Sequence, residues 1–303
     1  MMINQKEGII FMDITYSPPT VIAEIGCNHK GEMDIAKELI KIAAIFCKAP
    51  VAKFQKRTPR ELLSEEQYNA PHPNPMHAYG ETYGAHREYL ELTVDQHREL
   101  MDYCNEFGVV YSSSVWDMTS AREIASLDPK LIKVPSAMNN YTAMLEYLCD
   151  DYGGQIHIST GMSTTEEVDD MVALFEKKGR AKDLVLYACT SGYPVPFEDV
   201  KLLDIPDLIQ RYGGRVGDIG FSGHHLGIAI DVAAYALGAT WIERHFTLDR
   251  TWKGTDHAAS LEPDGLRRLV RDLNATYKSM GRKDGGLLDI EVEQREKLKW
   301  RAR

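Results

Sequence analysis

The sequence predicts a (β/α)₈ TIM barrel, an α/β fold in which eight parallel strands close into a ring inside eight helices. Eight short apolar runs alternate with eight amphipathic segments, and a barrel of this kind takes roughly 250 residues. The segment EIGCNHKGEMD at 24–34 follows the first run and lacks the G-x-G-x-x-G pattern of a dinucleotide-binding loop. An open, doubly wound sheet is the alternative, but eight units in regular succession favour closure.

The predicted strands are the short apolar runs, and they lie at 20–26, 51–55, 109–114, 131–135, 155–160, 184–190, 218–223 and 240–245. The predicted helices have apolar residues spaced by three or four positions. Asp95, Asp117 and Thr164 fit capping or first-turn positions of three of them. The helices lie at 33–47, 94–107, 118–127, 141–150, 164–178, 200–212, 226–237 and 263–279.

The barrel domain is expected to span 20–281, with a short segment on either side. Residues 1–19 are expected to form a hairpin that caps the bottom of the barrel, and the charged tail 282–303 a surface or interface helix. Residues 57–92, rich in Pro, His, Tyr and Gly, form a long insertion after the second strand. An insertion there lies at the carboxyl end of the strands, where it can serve as a lid or a substrate wall.

Composition restricts the classes of function. The formal net charge is −10, so we expect no general attraction to nucleic acid or to an anionic membrane, and an anionic ligand needs a local basic pocket. The five cysteines show no C-x-x-C spacing and predict reduced, mostly buried thiols in a cytoplasmic protein. The first residues are partly charged and include no long apolar run, so neither a signal peptide nor a membrane span is expected.

Polar residues cluster where the predicted strands end, which is where barrel enzymes bind their ligands. Lys53 and Lys133 lie beside positions that face a barrel interior normally filled with branched apolar residues. Small hydroxyl side chains accompany them at the strand ends: Ser112, Ser113, Ser114, Ser136, Ser159, Thr160, Thr190, Ser191 and Ser222. Together these donors predict a site for a phosphate or another oxyanion. The alternative for each lysine is a snorkelling side chain or a pair with an acid.

Histidines point to a metal site. His224 and His245 end neighbouring predicted strands, so their imidazoles could converge on one ion, and two such ligands suit Mn, Fe, Co or Zn better than Ca. Period-two alternation turns Glu243 the same way as His245, into the ligand shell or toward a substrate. Four other histidines are predicted to be hydrogen-bonded surface residues: His72, His77, His86 and His97. His257 fits either interpretation.

Glu24 follows three apolar residues in the first predicted strand and is expected to be largely surrounded by protein. A carboxylate in such a place is a candidate general base. The alternative is a structural salt bridge to Lys53 on the adjacent strand.

Seven stretches of the sequence, in order, resemble the sialic acid synthases: IAEIGCNHKG, KFQK, STGM, CTSGYP, FSGHH, ERHFTLD and TWKGTDHAASLEP. The resemblance covers the whole predicted barrel. It implies condensation of phosphoenolpyruvate with the open-chain aldehyde of an N-acylated hexosamine, such as N-acetylmannosamine or its 6-phosphate, to give a nonulosonic acid. It also implies a homodimer and a divalent metal, commonly manganese, with Mg, Co or Fe as alternatives.

The resemblance implies a role for each predicted site residue. His224 and His245 would hold the metal and act in catalysis with Glu24, which would take the proton of a water. The residues implied to bind phosphoenolpyruvate are Lys53, Lys133, Ser136, Ser159, Ser191 and Ser222. The residues implied to hold the sugar are Gln55, Tyr193, Glu243 and Asp256.

The sequence departs from the family pattern at three points. Met138 stands where the family usually has an acid, which leaves the identity of the acceptor open, and His225 stands where threonine is common. The family also adds a C-terminal antifreeze-like domain, which this chain, ending at Arg303, is expected to lack. Sugar recognition would then come from the barrel, from the insertion 57–92 or from a separate protein.

Three rival functions are considered. A metal-dependent barrel hydrolase commonly places H-x-H after the first strand, where this chain has EIGCNH. A phosphoenolpyruvate-dependent aldolase for an arabinose or erythrose phosphate shares the fold and the chemistry. The non-enzyme alternative is a catalytically weakened barrel that binds sugar as a sensor or a subunit.

Overall fold

A computed structural model describes residues 16–300. Its parallel strands form a closed barrel in which each strand pairs with the next in chain order and β8 pairs with β1. The fold predicted from the sequence is confirmed. The strands are β1 (Thr20–Gly26), β2 (Val51–Lys56), β3 (Val110–Val115), β4 (Leu131–Val134), β5 (Gln155–Ser159), β6 (Leu184–Cys189), β7 (Asp218–Gly223) and β8 (Trp241–His245).

Helices follow the strands and cover the outside of the barrel, and most begin where the sequence predicts. Asp117 and Thr164 are N-caps, since their side chains accept hydrogen bonds from the Ser120 and Glu167 amides. The helices are α1 (Met33–Ile42), α2 (Pro59–Leu62), α3 (Glu65–Asn69), α4 (Tyr83–Leu90), α5 (Val94–Glu106), α6 (Met118–Ala125), α7 (Thr142–Asp151), α8 (Thr165–Lys177), α9 (Asp204–Tyr212), α10 (Ala229–Ala236), α11 (Pro263–Ser279) and α12 (Asp289–Leu298).

Two helices begin later than predicted, and backbone conformation explains both differences. Helix α9 begins at Asp204 rather than at residue 200, because Lys201 adopts a φ of 56°, which is incompatible with a right-handed helix. Helix α10 begins at Ala229 rather than at residue 226, because Gly227 has a φ of 78°.

Inside the barrel the inward-facing residues change character with height. The bottom is filled by a small buried apolar cluster: Ile22, Val51, Leu131, Val185 and Tyr187. One inward step higher, roughly 6–7 Å along the strands, the corresponding positions on β1, β2 and β4 are Glu24, Lys53 and Lys133. The barrel therefore has an apolar floor beneath a charged layer.

The insertion 57–92 contains α2, α3 and α4 and is held to the loop after β8. The Tyr79 hydroxyl donates to the Lys253 carbonyl, and the Gly254 amide donates to His77 Nδ1 at 3.1 Å. The insertion lies at the carboxyl end of the barrel, as expected. The hairpin predicted for 1–19 falls mainly on residues 1–15, which lie outside the described residues. The tail contains the exposed helix α12.

Three histidines predicted to be on the surface are buried, so that prediction was wrong for them. His97 lies on the buried side of α5 and forms a 2.7 Å hydrogen bond with the Tyr111 hydroxyl. His72 and His86 are in contact with each other within the insertion. The five cysteines are free thiols, and Cys47, Cys104 and Cys149 are buried, as expected. None of the helices in residues 16–300 is long and apolar enough to cross a membrane.

Candidate active site

The carboxyl ends of the strands surround a cavity of about 350 Å³, a size at the lower end of the range of small-molecule sites, about 300–1,000 Å³. Of the residues to which the family resemblance assigns a role, all except Asp256 line it: Glu24, Lys53, Gln55, Lys133, Ser136, Ser159, Ser191, Tyr193, Ser222, His224, Glu243 and His245. Of the other predicted strand-end hydroxyls, Ser114 lines it and Ser112, Ser113, Thr160 and Thr190 do not. Strand alternation brings them together because each faces inward from the upper half of its strand or from the loop that follows. Residues spread over more than 200 positions of the chain thus form one cavity.

Four charged side chains form a buried network at the bottom of the cavity. Lys53 Nζ lies 2.5 Å from Glu24 Oε2 and 3.6 Å from Glu243 Oε2. Lys133 Nζ donates to both carboxylate oxygens of Glu243, at 2.9 and 3.1 Å. Each of these side chains is at most 8% exposed. Two ammonium groups and two carboxylates balance one another, so pairing with acids, the alternative considered for the lysines, is present here.

The pKa values in this network follow from burial and neighbouring charge. Burial lowers the pKa of Lys53, but Glu24 and Glu243 outweigh it and the pKa is raised overall. The pKa of Lys133 is lowered by burial and by the nearby Lys53, despite its pair with Glu243. Burial raises the pKa of Glu243, yet Lys133 and Lys53 hold it well below its usual range. Glu243 is therefore an ionised group shared by two lysines.

Hydroxyl groups complete the polar surface of the cavity. The Lys53 ammonium donates to Ser114 Oγ at 2.7 Å, and Ser222 Oγ donates to Glu243 Oε1 at 3.0 Å. A Cβ atom on Gly161 would lie 2.6 Å from Ser191 Oγ and 2.7 Å from Ser136 Oγ. Because both distances are shorter than real contacts, a larger residue at 161, in the turn after β5, would displace both hydroxyls from their places in the cavity wall.

His224 and His245 stand side by side above the charged network, with ring centroids 5.4 Å apart. His224 Nδ1 lies 3.2 Å from the Thr190 carbonyl, which leaves Nε2 available as a ligand atom. Burial, reinforced by His245, lowers the pKa of His224 to about 3, so its imidazole is neutral. His245 Nδ1 is buried, has no hydrogen-bond partner within residues 16–300, and lies 3.8 Å from Asp256 Oδ2.

This pair fits a divalent metal that keeps several open coordination positions. In the part of the chain that the structure describes, no group of three or more His, Cys, Asp or Glu side chains is arranged to hold a metal. A closed tetrahedral zinc site needs four protein ligands, whereas ions such as manganese can complete their coordination with water or substrate oxygen.

The residues implied to hold the sugar differ in their surroundings. Gln55 Nε2 donates to Glu24 Oε1 at 3.1 Å, and the exposed Tyr193 ring lies over His224, with centroids 4.3 Å apart. Glu243 lies deep in the lysine network rather than at the cavity mouth. Asp256 lies outside the cavity lining, beside His245, and accepts a 2.8 Å hydrogen bond from Thr255 Oγ1.

The two residues at which the sequence departs from the family pattern, Met138 and His225, do not line this cavity. Met138 lines a smaller neighbouring cavity together with Arg57, Arg87 and Trp116. The His225 ring is directed away from the mouth, with Nε2 3.0 Å from Arg244 Nη1 and 3.3 Å from Asp231 Oδ2.

Sequence reasoning missed other residues of the site. Ser114 was recognised only as one strand-end hydroxyl among several, and Trp116 and Cys189, which also line the cavity, were not singled out. Their positions at or just after the ends of β3 and β6 are the signal that could have identified them.

A larger groove, of about 910 Å³, lies beside the site between the loops after β5 and β6 and helix α9. Its charged residues are Asp204, Asp207 and Arg211, all on α9. We place the active site in the smaller cavity because the buried charges and the histidine pair converge there.

Comparison with known proteins gives consistent relatives. A sequence model of the NeuB family matches residues 39–285. The chain is 38% identical over 283 residues to the N-acetylneuraminate-9-phosphate synthase of Homo sapiens, covering 93% of this chain and 76% of that protein. It is 34% identical to the N,N'-diacetyllegionaminic acid synthase of Campylobacter jejuni, covering 86% and 77%. An N-acetylneuraminic acid synthetase structure from Leptospira borgpetersenii, in complex with citrate, superposes with a TM-score of 0.78 at 27% identity, covering 98% of both chains.

Proposed function

Because this chain belongs to the NeuB family, we propose that it condenses phosphoenolpyruvate with the open-chain aldehyde of an N-acylated hexosamine. The products would be a nonulosonic acid and inorganic phosphate. The observation that carries the proposal is the buried lysine and carboxylate network beneath the His224–His245 pair. A metal-dependent hydrolase, the rival function, does not require two buried lysines. An enzyme that binds a substrate with both a phosphate and a carboxylate does.

In this proposal phosphoenolpyruvate binds at the bottom of the cavity. Its phosphate and carboxylate would be held by Lys53, Lys133, Ser136, Ser159, Ser191 and Ser222. In a protein of net charge −10 the ammonium groups of Lys53 and Lys133, each held in place by a carboxylate, are the charged donors that this cavity offers to such an anion. The phosphate would also compete with Glu24 for Lys53, which lies 2.5 Å from that carboxylate, and so release Glu24 for catalysis.

Synthases of this family generally depend on a metal, and His224 and His245 are the residues that would hold it. We propose manganese, with Mg, Co or Fe as alternatives. When bound, such an ion supplies a Lewis acid for the aldehyde oxygen of the acceptor. The neutral imidazole of His224 suits this role because a protonated ring cannot ligate.

The covalent chemistry then follows from the substrates. C3 of phosphoenolpyruvate attacks C1 of the aldehyde and forms the new C–C bond, while positive charge develops at C2. Water adds to C2, and Glu24 takes its proton as general base. The alkoxide that bond formation leaves at C1 of the acceptor takes up the proton that Glu24 received. The tetrahedral intermediate then expels phosphate by cleavage of the C–O bond, so the bridging oxygen leaves with the phosphate while the C2 hydroxyl gives up its proton and becomes the ketone.

The acceptor would lie above phosphoenolpyruvate, toward the open end of the cavity. Gln55 and Tyr193 reach this region, and Asp256 approaches it beside His245. We propose that these three contact the sugar directly. Glu243 would act from below, by fixing the two lysines, because both of its oxygens already accept hydrogen bonds from Lys133.

A homodimer is also part of the proposal, because the family resemblance implies it. Sedimentation equilibrium of the purified chain tests it: a single species of about twice the chain mass of 34.2 kDa is expected, and a monomer at micromolar concentration would exclude it.

Isotope tracing tests the reaction. Purified protein, Mn²⁺, N-acetylmannosamine and phosphoenolpyruvate labelled with ¹⁸O at the bridging oxygen should release labelled phosphate and form a nine-carbon acid. Glu24→Gln should fold normally, bind phosphoenolpyruvate and lose roughly 10²- to 10⁴-fold in turnover. Unlabelled phosphate would contradict C–O cleavage. Binding of sugar with no phosphate release across a panel of N-acylhexosamines and their 6-phosphates would favour the non-catalytic, sugar-binding barrel.

A further inference from the structure

A second cavity, of about 200 Å³, adjoins the candidate active site. Trp116 lines both cavities, which makes them neighbours. The polar wall of the second cavity is formed by Arg57, Tyr83 and Arg87. Its apolar wall is formed by Leu62, Leu63 and Met138. Four of these six side chains come from helices α2 and α4 or the residue just after α2, and none has a part in the reaction proposed above.

Arg57 is a buried cation whose hydrogen-bonding capacity is not filled. Its side chain is 8% exposed, and its guanidinium carbon lies 4.1 Å from the ring centroid of Trp116. Within residues 16–300, Arg57 Nη1 has no hydrogen-bond partner, and its nearest carboxylate oxygen, on Glu91, is 3.8 Å away. Trp116 Nε1 is also buried without a partner in that range. Leaving such donors unpaired is costly, so an acceptor from outside the described protein would be favoured here.

Arg87 adds a second positive charge to the same cavity. It donates from Nε and Nη2 to the Tyr83 hydroxyl, at 3.0 and 2.5 Å. In the described part of the chain no carboxylate lies within 4 Å of Arg87, so Glu91 is the only acid at ion-pair distance for the two arginines. Burial and the neighbouring Arg87 lower the pKa of Arg57, whereas the pKa of Arg87, despite its burial, is raised by the Tyr83 hydroxyl. The lining of this cavity therefore favours the binding of an anion.

We propose that this cavity binds the phosphate group of a phosphorylated acceptor sugar through Arg57 and Arg87. The inference rests on the proposed condensation and names its acceptor class, an N-acylhexosamine 6-phosphate. In an extended six-carbon chain, C1 and the 6-phosphate lie at opposite ends. The aldehyde would meet the histidine pair while the phosphate enters the arginine cavity past Trp116.

Product numbering fits this assignment. Phosphoenolpyruvate contributes three carbons, so C6 of the acceptor becomes C9 of the product. The human relative is named for a 9-phosphate product. The Campylobacter relative is named for a product without a phosphate, so family membership does not settle the acceptor class.

Met138 makes a sharp test possible because it lies in the wall of the cavity beside both arginines. Met138→Glu would place a carboxylate where the phosphate is proposed to bind, and Met138→Gln is its uncharged control. Arg87→Gln removes one of the two cations. Arg60→Gln is the matched control, because Arg60 lies in the same insertion but is 61% exposed.

Calorimetric titration with N-acetylmannosamine 6-phosphate and with N-acetylmannosamine, without phosphoenolpyruvate, measures the preference directly. Wild type should bind the phosphorylated sugar more tightly. Arg87→Gln and Met138→Glu should each weaken that binding by roughly 10- to 100-fold, the value of one charged hydrogen bond. Arg60→Gln and Met138→Gln should stay within about threefold of wild type. Circular dichroism confirms that each variant is folded.

The inference would be overturned if wild type bound the two sugars with equal affinity. It would also be overturned if Arg87→Gln and Met138→Glu both kept the wild-type preference for the phosphorylated sugar. Inorganic phosphate that binds as tightly as the sugar phosphate, with the same dependence on Arg87, would assign the cavity to a free anion instead. Phosphate release with N-acetylmannosamine but no preference for its 6-phosphate would leave the condensation standing and remove only this inference. An arginine-dependent preference without any phosphate release would leave the cavity assignment and remove the condensation.

Discussion

Replacing Glu243 with glutamine removes one charge from the buried network and keeps the shape of the side chain. Glu243 accepts hydrogen bonds from Lys133 at 2.9 and 3.1 Å and lies 3.6 Å from Lys53. Lys53 keeps Glu24 as a partner. Among residues 16–300, however, Glu243 is the one carboxylate within ion-pair distance of Lys133. Glu243→Gln therefore leaves one buried ammonium group without a counter-charge.

The structure sets the size of the effect. Breaking a buried ion pair costs about 3–5 kcal/mol, because the remaining charge stays desolvated. The side chains of Lys133 and Glu243 are 3% and 8% exposed, so solvent does little to reduce this cost. At about 2 °C per kcal/mol for a chain of this size, Tm should fall by roughly 6–10 °C. The control Glu176→Gln, which breaks an exposed pair with Arg215, should change Tm little.

The loss of stability in Glu243→Gln should depend on pH in a defined direction. Glu243 has a depressed pKa in the folded protein, so its contribution is complete above the unfolded pKa, about 4.3, and is lost as pH falls toward the folded value. The pKa of Lys133 is already lowered, and loss of Glu243 lowers it further. A neutral lysine needs no counter-charge, so the deficit of the variant also shrinks as pH rises toward about 10.

Thermal melts of wild type and Glu243→Gln from pH 3 to pH 10, with and without phosphoenolpyruvate, check the reasoning. The difference in Tm should be largest between about pH 5 and pH 8 and should narrow on both sides. Phosphoenolpyruvate should raise Tm more in the variant than in wild type, because its negative charge replaces the missing carboxylate. A variant that melts within about 2 °C of wild type throughout, with the same response to phosphoenolpyruvate, would refute the role given to Glu243.

Three further predictions address the other parts of the site. His224→Ala or His245→Ala should lower the manganese content found by elemental analysis and abolish phosphate release, and full occupancy in both variants would show that the ligands lie elsewhere. Lys133→Met should raise the calorimetric Kd for phosphoenolpyruvate by roughly 10- to 100-fold and affect the sugar less; an unchanged Kd would count against the anion site. Asp256→Asn should keep Tm near wild type but lower kcat/KM for the sugar, whereas lost stability with normal kinetics would indicate a purely structural residue.

The fold could be predicted because its signals are local and repeated. Each strand is a short apolar run and each helix has its own periodicity, so a wrong boundary in one unit does not disturb the next. The boundaries that failed, before α9 and α10, depend on single residues with positive φ, Lys201 and Gly227. A glycine suggests a positive φ from its residue type alone, whereas a lysine such as Lys201 does not.

The sequence predicted which residues form the site but not which of their side chains contact each other. Position at a strand end brought Lys133 and Glu243 to the same cavity, yet their hydrogen bond joins residues 110 positions apart and exists only because the ring closes. The same limit explains the wrong prediction for His97, since its partner Tyr111 lies on a different element. Arg57 and Arg87 were missed because nothing in their own sequence neighbourhood shows that they share a cavity.

The apolar floor of the barrel also bears on the order in which the two substrates bind. Ile22, Val51 and Leu131 fill the bottom of the interior, so ligands enter and leave the cavity through its upper mouth. Lys53 and Glu243 lie one inward step below Gln55 and His245, so whatever binds to the lysines sits beneath whatever meets the histidines. In the proposed assignment phosphoenolpyruvate takes the deeper position, so a sugar that arrived first would obstruct its passage. The depth of the two positions thus favours an ordered mechanism in which phosphoenolpyruvate enters before the sugar, and the nonulosonic acid, which occupies both levels, must depart before the next cycle begins.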